Sequence, residues 1–377
     1  MLKKFFIGII LIVVLVVNCL PFNVQAEEIE LSSPSVILME ANGGEILYEK
    51  NCDEARSIAS ITKVMTLLLT MEALENGSIN LEQKLTASLH ASSMGGSDIW
   101  LKEGEQMSVD DLIKATVIMS ANDAAVVLAE EIAGTEDAFV AMMNSKASEL
   151  GMTGTVFKNC NGLDEDGHLS TARDIAIMSR ELVKYEQITN YTLTWIDNLR
   201  NGETQLVNTN KLINSYKGIT GLKTGTTSTA GSCISATASR NGLDLIAVVL
   251  GASDTKTRFK EASSLLDYGF SNWALISPEY ELPQEIKVGN AMKDFVKFEI
   301  KSTPQVVAKV SEKPNVQCLI ELNENIVAPV NVADELGFVK VYVGNELRQK
   351  VPIIASENID EISIMKVIEY FLSKFVM

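Results

Sequence analysis

Ser57-Ile58-Ala59-Ser60-Ile61-Thr62-Lys63-Val64-Met65-Thr66-Leu67-Leu68-Leu69-Thr70-Met71-Glu72-Ala73-Leu74 sets a serine and a lysine three residues apart at the head of a long apolar run. The run stops at Asn76-Gly77, a glycine signal that closes a helix. Positions i and i+3 share a helix face, so the spacing brings the Lys63 amine beside the Ser60 hydroxyl. A serine hydroxyl is a weak nucleophile until a base activates it, and a neighbouring amine is one such base. The competing reading of any Ser-x-x-Lys is an N-cap serine followed by a surface lysine. Ser253 with Lys256 and Ser363 with Lys366 repeat the spacing, and the latter pair fits the capping reading because it lies in a terminal amphipathic stretch.

Two further motifs follow in order. Ser120-Ala121-Asn122 sits among Leu112, Ile113, Val117, Ile118 and Met119 on one side and Val126, Val127 and Leu128 on the other. Polar groups within such a run are costly to bury unless hydrogen-bonded, which points to a purpose. Ser-x-Asn also occurs at Ser78 and Ser356, but without those flanks. Lys223-Thr224-Gly225 occurs once, ahead of two β-like runs, 232–239 and 243–251, joined through Arg240-Asn241-Gly242. Asn-Gly between such runs is a hairpin signal. A lysine at a strand start beside a glycine lets a substrate backbone come close to the strand. The bland reading of Lys223 is an edge-strand charge that discourages aggregation. Together the motifs supply a nucleophile, an amine, a polar pair and a cationic edge strand, the parts of an acyl-transfer site that needs no histidine, metal or cofactor.

On these residues the chain resembles the low-molecular-mass penicillin-binding proteins that act as serine-type D-alanyl-D-alanine carboxypeptidases. The likeness extends to Asn161-Gly162-Leu163-Asp164, Ser170-Thr171-Ala172-Arg173-Asp174 and Gly221 to Thr227, and runs from Ser35 to the C-terminus. It implies an α/β fold: a β-lactamase/transpeptidase-like catalytic domain (an antiparallel sheet with a helical lobe), a small β-sandwich domain and a C-terminal amphipathic helix. It also implies removal of the terminal D-alanine from peptidoglycan stem pentapeptides through an acyl-enzyme on Ser60, and acylation by β-lactam antibiotics. Lys63 and Ser120 would move protons, and Asn122 would hold the substrate amide. The N–H groups of Ser60 and Thr226 would form an oxyanion hole. Lys223, Thr224 and Arg258 would receive the terminal carboxylate, with Gly225 and Thr226 among the substrate-binding residues, Arg258 otherwise being a helix-surface arginine. Which group takes the proton during acylation is left open by the resemblance.

Composition fits an exported enzyme. Lys3-Lys4, an apolar run 5–17 and Val24-Gln25-Ala26 read as a cleaved signal peptide over residues 1–26, with an uncleaved anchor as the alternative. The formal charge of −17 becomes −19 once Lys3 and Lys4 leave. No basic stripe points to nucleic acid. The two histidines, His90 and His168, are too few for a zinc peptidase of the usual kind. Cys52, Cys160, Cys233 and Cys318 remain in the mature chain without a framework spacing, and read as free or buried.

Residues 36–41 and 45–48 flank Asn42-Gly43-Gly44 as a hairpin, helices occupy 60–191, strands return at 221–252, and a helix over 255–273 closes a catalytic domain spanning 27–277. Residues 278–355 alternate short apolar and polar runs and read as the β-rich domain. In the tail, 356–377, Ile364, Met365, Val367, Ile368, Phe371, Leu372, Phe375 and Val376 fall on one helical face, as in a helix lying in a membrane interface. Docking on its own protein is the alternative. A class A β-lactamase would carry Glu-x-x-Leu-Asn between the second and third motifs, and none is present. A transpeptidase would use the same residues with another acceptor. A non-catalytic sensor would have no need of Ser60, Lys63 and Lys223.

Overall fold

The computed structural model describes residues 29–375. The signal segment expected over residues 1–26 lies outside them.

Strand β1 (Ser35–Glu40) is buried along its whole length, as its Val-Ile-Leu-Met sequence requires of a strand covered on both faces. It pairs with β2 (Ile46–Lys50) across the Asn42-Gly43-Gly44 turn. The chain then makes a short 3₁₀ turn, Ala59–Thr62, and enters helix α1 (Lys63–Glu75). Ser60 therefore stands in the tight turn ahead of the helix and caps nothing, which removes the capping reading. Helix α1 is buried almost all round, as a helix without a polar face must be. It packs between α2 (Asn122–Ala133) and the amphipathic α4 (Ala172–Val183), while α3 (Glu136–Glu149) covers α2. The stretch expected to be helical is interrupted by a strand pair, Lys84–Thr86 with Gln106–Ser108, and by a non-helical passage from 153 to 171.

Strands β3 (Ile219–Thr227), β4 (Gly231–Arg240) and β5 (Leu243–Ala252) complete an antiparallel sheet in the order β2-β1-β5-β4-β3. Arg240-Asn241-Gly242 is the β4–β5 turn, with Asn241 at φ 54° and Gly242 at φ 79°. Lys223 is not at a strand start: it is the fifth residue of β3, the edge strand facing the helical lobe. Helix α5 (Thr255–Asn272), capped by Asp254, packs on β4 and β5 from the face opposite α4.

The β-rich region begins earlier than the composition change at Ser277-Pro278. Strand β6 (Trp273–Ile276) pairs with β8 (Val306–Lys309), so its backbone belongs to this second part. The main sheet here is four-stranded, ordered β7 (Phe298–Ile300), β11 (Glu346–Ala355), β10 (Glu335–Val343), β9 (Val316–Leu322). Its core gathers Ile286, Val296, Val339, Val351, Ile353 and Ile359. Ile359 and Glu361 bridge back to Val330 and Ala291, so 356–361 also belong here rather than to the tail. Arg348 ties this region to the β1–β2 hairpin through Glu45, 2.6 Å away.

Helix α6 (Ile364–Phe375) follows, with Ile364, Met365, Ile368 and Leu372 exposed. Ser363 accepts the backbone N–H of Lys366, so that Ser-x-x-Lys is a helix cap. Among the described residues no helix is long and apolar enough to cross a membrane. Cys52, Cys160 and Cys233 are buried, Cys318 is half-buried, and all four are free.

Candidate active site

The site forms where three elements converge: the turn before α1, the junction before α2, and the edge strand β3. Ala59, the residue before Ser60, is held at φ 48°, a left-handed setting that costs a Cβ-bearing residue roughly 1–2 kcal/mol. Strain of this kind persists only where the surroundings enforce it. Two glycines allow the approach. A Cβ on Gly162 would fall 2.0 Å from the Ala59 carbonyl oxygen, and one on Gly225 would fall 2.8 Å from the Ser60 nitrogen.

Lys63 is fully buried, and its Nζ lies 3.0 Å from Ser60 Oγ, the contact the i, i+3 spacing predicts. It also donates to Asn122 Oδ1 and to the Asn161 carbonyl, each at 2.6 Å. Asn122 Nδ2 donates to the Gly95 carbonyl at 2.6 Å, which fixes which end of the amide faces Lys63. The second Nδ2 hydrogen is left for another acceptor. Burial pushes the Lys63 pKa down to about 7, against the weaker pull of Cys160, Asp98 and Asp123. An amine in that range is neutral often enough at working pH to take a proton.

Ser120 follows a π-helical turn, Ala115–Met119, and sits at φ 65°, ψ 31°. Wide turns of this kind cluster at functional sites because they re-aim the next side chain. Lys223, also buried, donates to Ser120 Oγ at 2.7 Å and to the Thr224 carbonyl at 3.0 Å. Burial is the main cause that holds its pKa well below the ordinary lysine range, aided by the charges of Lys63 and Arg258. Thr224 donates its hydroxyl proton to Thr209 at 2.8 Å. Asp123 serves the scaffold: its carboxylate accepts the backbone N–H groups of Ile99 and Leu101, tying down the loop that carries Gly95.

Arg258 is 5 % exposed, so the helix-surface reading does not hold. It lies behind β3, where Nη1 donates to the Gly225 carbonyl at 2.9 Å and to Thr226 Oγ1 at 2.8 Å. Its buried Nε has no partner. All nine expected residues thus stand where the turn before α1, the junction before α2 and strand β3 meet, with Arg258 directly behind β3. Sequence reasoning marks Asn161 only as part of the family likeness and gives it no role, since its contribution is a backbone carbonyl and leaves no side-chain signature. Gly162 stands in the same segment without an assigned role, although Asn161-Gly162 is a turn dipeptide that invites the question. The segment Ser170 to Asp174 is structural: Thr171 caps α4, and Asp174 accepts from Gly154 N and Thr155 Oγ1.

Residues 22–254 match the family described as D-alanyl-D-alanine carboxypeptidase, and residues 270–361 match the penicillin-binding protein 5 C-terminal domain. The D-alanyl-D-alanine carboxypeptidase DacF of Bacillus subtilis is 41% identical over 341 residues, covering 89% of this chain and 87% of its own. DacC of Escherichia coli is 32% identical over 353 residues, with 89% and 88% covered. Penicillin binding protein 5 of Haemophilus influenzae superposes with a TM-score of 0.74 at 28% identity, over 88% of this chain and 99% of that one. Penicillin-binding protein D2 of Listeria monocytogenes, solved in its ampicillin-bound form, is 34% identical with a TM-score of 0.59, over 64% and 99%.

Proposed function

The chain belongs to the serine-type D-alanyl-D-alanine carboxypeptidases, the low-molecular-mass penicillin-binding proteins, and from that membership we propose how its own residues divide the work. The enzyme hydrolyses the terminal D-alanyl-D-alanine bond of peptidoglycan stem peptides and is acylated by β-lactams. Ser60 Oγ attacks the carbonyl carbon of the penultimate D-alanine, forming the C–O bond of an acyl-enzyme as the C–N bond breaks. Its proton passes to Lys63. The observation that carries this reading is the environment of the Lys63 amine. Asn122 Oδ1 and the Asn161 carbonyl can only accept, so they take the two N–H groups of a neutral amine. The lone pair is then left for the Ser60 hydroxyl, 3.0 Å away.

Ser120, whose oxygen is held by Lys223, gives its proton to the departing D-alanine nitrogen and is reprotonated from Lys63, so the proton taken from Ser60 leaves with the amine and Lys63 is neutral again. The free Asn122 N–H receives the acyl-side carbonyl of the substrate. The Ser60 and Thr226 N–H groups face the developing oxyanion, where loss of one donor typically costs about 3–4 kcal/mol in barrier. The Thr226 hydroxyl accepts from Arg258 and keeps its own proton for the terminal carboxylate, which lies beside Lys223 and Thr224, with Arg258 behind β3 supplying positive charge. Water then hydrolyses the ester. A β-lactam presents its strained amide to the same serine, and its leaving nitrogen stays tethered.

The assay for this assignment is D-alanine release from a pentapeptide ending in D-alanyl-D-alanine, with a benzylpenicillin arm. Release with turnover, abolished by prior penicillin, is expected. Penicillin labelling without release would leave a binder and not a carboxypeptidase.

The Lys63 environment gives a pH dependence. The base works neutral, so the acylation rate should rise through a pKa of about 7 and fall roughly tenfold per pH unit below it. Stopped-flow acylation between pH 5 and 9 checks this, and a flat profile across 6 to 8 would contradict it.

We also propose export through residues 1–26 and seating of α6 in the outer leaflet of the cell membrane. The support is a run of exposed apolar residues, Ile364, Met365, Ile368 and Leu372, on a helix past the last β-bridge of the body. Deleting 364–377 should move the protein from the membrane pellet to the soluble fraction with D-alanine release intact. An unchanged distribution would sink the anchor.

A further inference from the structure

His168 has no part in the chemistry above, yet it is buried and both ring nitrogens are engaged. Nδ1 accepts the backbone N–H of Lys158 at 3.1 Å. A backbone N–H only donates, so Nδ1 is unprotonated and the ring proton of the neutral imidazole sits on Nε2. Nε2 lies 2.7 Å from Thr62 Oγ1. With Nε2 as donor, the Thr62 hydroxyl accepts there and gives its own proton to the Ala59 carbonyl oxygen, 2.8 Å away. The direction of all three bonds is thereby fixed by one backbone amide 10 residues before the histidine. Phe157 packs against the imidazole edge to face, the ring centroids 5.8 Å apart at 71°.

What the chain of bonds ends on is the important point. The Ala59 carbonyl and the Ser60 N–H belong to one planar peptide unit and point in opposite directions. Fixing the carbonyl fixes the direction of the N–H. The same carbonyl abuts Gly162 on its other side, so the peptide is held between a hydrogen bond and a steric stop. Without the hydrogen bond, the left-handed setting of Ala59 at φ 48° is left to the packing of Gly162 and Gly225 against the peptide, which no longer directs its carbonyl.

We propose that His168 is a positioning residue for the nucleophile: through Thr62 it orients the Ala59–Ser60 peptide so that the Ser60 N–H and hydroxyl face the substrate carbonyl. This rests on the reading of Ser60 as nucleophile and oxyanion donor. Burial holds the His168 pKa down at about 4, against the pull of Glu165 and Asp164, so the neutral ring that the bonds require persists across the working range.

The test measures the penicillin acylation rate constant and the pre-acylation dissociation constant separately, with D-alanine release and the thermal midpoint alongside. The proteins are wild type, Ser60→Ala, Thr62→Val, His168→Leu, His168→Gln and the double variant Thr62→Val/His168→Leu. A misaimed reacting group costs up to about 100-fold in rate. Thr62→Val and His168→Leu should each slow acylation by roughly 10- to 100-fold with the dissociation constant unchanged. The double variant should be no slower than the worse single. His168→Gln keeps an N–H for Thr62 and should recover most of the rate. A purely structural histidine would lower the midpoint without splitting rate from affinity, and glutamine would rescue nothing. Wild-type acylation in His168→Leu, equal damage from Gln and Leu, or losses that multiply in the double variant would each overturn the proposal. Should His168→Leu not fold, Thr62→Val decides, since it removes the relay hydroxyl at nearly constant volume: an unchanged rate there overturns the proposal. Label on Ser60→Ala would instead remove the nucleophile reading, a failure distinct from that of the relay.

Discussion

Lys63→Met should abolish penicillin labelling on the minute timescale while leaving a folded protein, with acylation slowed by about 10⁴-fold, the upper range for loss of a positioned base. The expectation is strong because nothing nearby can stand in. Among the described residues the other amine at the site is Lys223, and its Nζ is held by Ser120 and the Thr224 carbonyl, not by Ser60. His168 reaches Thr62 and has Nδ1 occupied by a backbone N–H. Methionine is apolar and nearly the length of lysine, so it fills the space without a buried charge. The Asn122 and Asn161 oxygens would lose a donor, a cost of about 1–3 kcal/mol for each buried group left unsatisfied. Intact-mass time courses with benzylpenicillin, beside a thermal melt, separate lost chemistry from lost fold. An acylation rate within tenfold of wild type would make another group the base.

Gly162→Ala is the second large effect, and it reaches the site without touching a reacting atom. The glycine is at φ 86°, and the added Cβ would sit 2.0 Å from a backbone oxygen that no rotamer change can move. Either the Asn161-Gly162 segment or the Ala59–Ser60 peptide must shift. The first carries the Lys63 acceptor and the second carries the nucleophile. We expect acylation to fall by about 100-fold, the cost of an ångström-scale misplacement. The melting temperature should fall as well, since alanine at positive φ is itself strained. Gly77→Ala serves as the control, because its Cβ would meet nothing within 4 Å although it too has positive φ. It should lose stability and keep its rate. Similar acylation losses in both variants would mean that strain alone, not the clash behind Ser60, is responsible.

Local patterns in the sequence were legible where the structure depends on local geometry. The Asn241-Gly242 turn announces the β4–β5 hairpin, the apolar run after Lys63 announces a central helix, and the i, i+3 spacing places an amine at Ser60. Lys223 was identified as a residue but misplaced within its strand, because β3 begins at Ile219, ahead of the residues whose β-character is obvious. The start of the β-rich region was misjudged for a similar reason. Trp273–Ile276 follows α5 without punctuation, and only its pairing with Val306–Lys309 assigns it.

What the sequence did not disclose is the group of contacts that tune the site. The Asn161 carbonyl reaches Lys63 across 98 residues, and a backbone acceptor has no residue type to betray it. The left-handed settings of Ala59 and Ser120 contradict their local propensities, and tertiary packing imposes them. Arg258 looked like a surface residue because its helix is polar on most sides. It is buried because its position faces β4 and the back of β3.

The central claim is that Ser60 carries the acyl group. Its most direct test is to treat the purified mature chain and its Ser60→Ala variant with a fluorescent penicillin, and separately with a D-alanyl-D-alanine-terminated peptide. The predicted result is one label per wild-type molecule, mapped to the peptide containing Ser60, with D-alanine released by wild type and neither signal from a folded Ser60→Ala protein. Label or D-alanine release persisting in Ser60→Ala would contradict it.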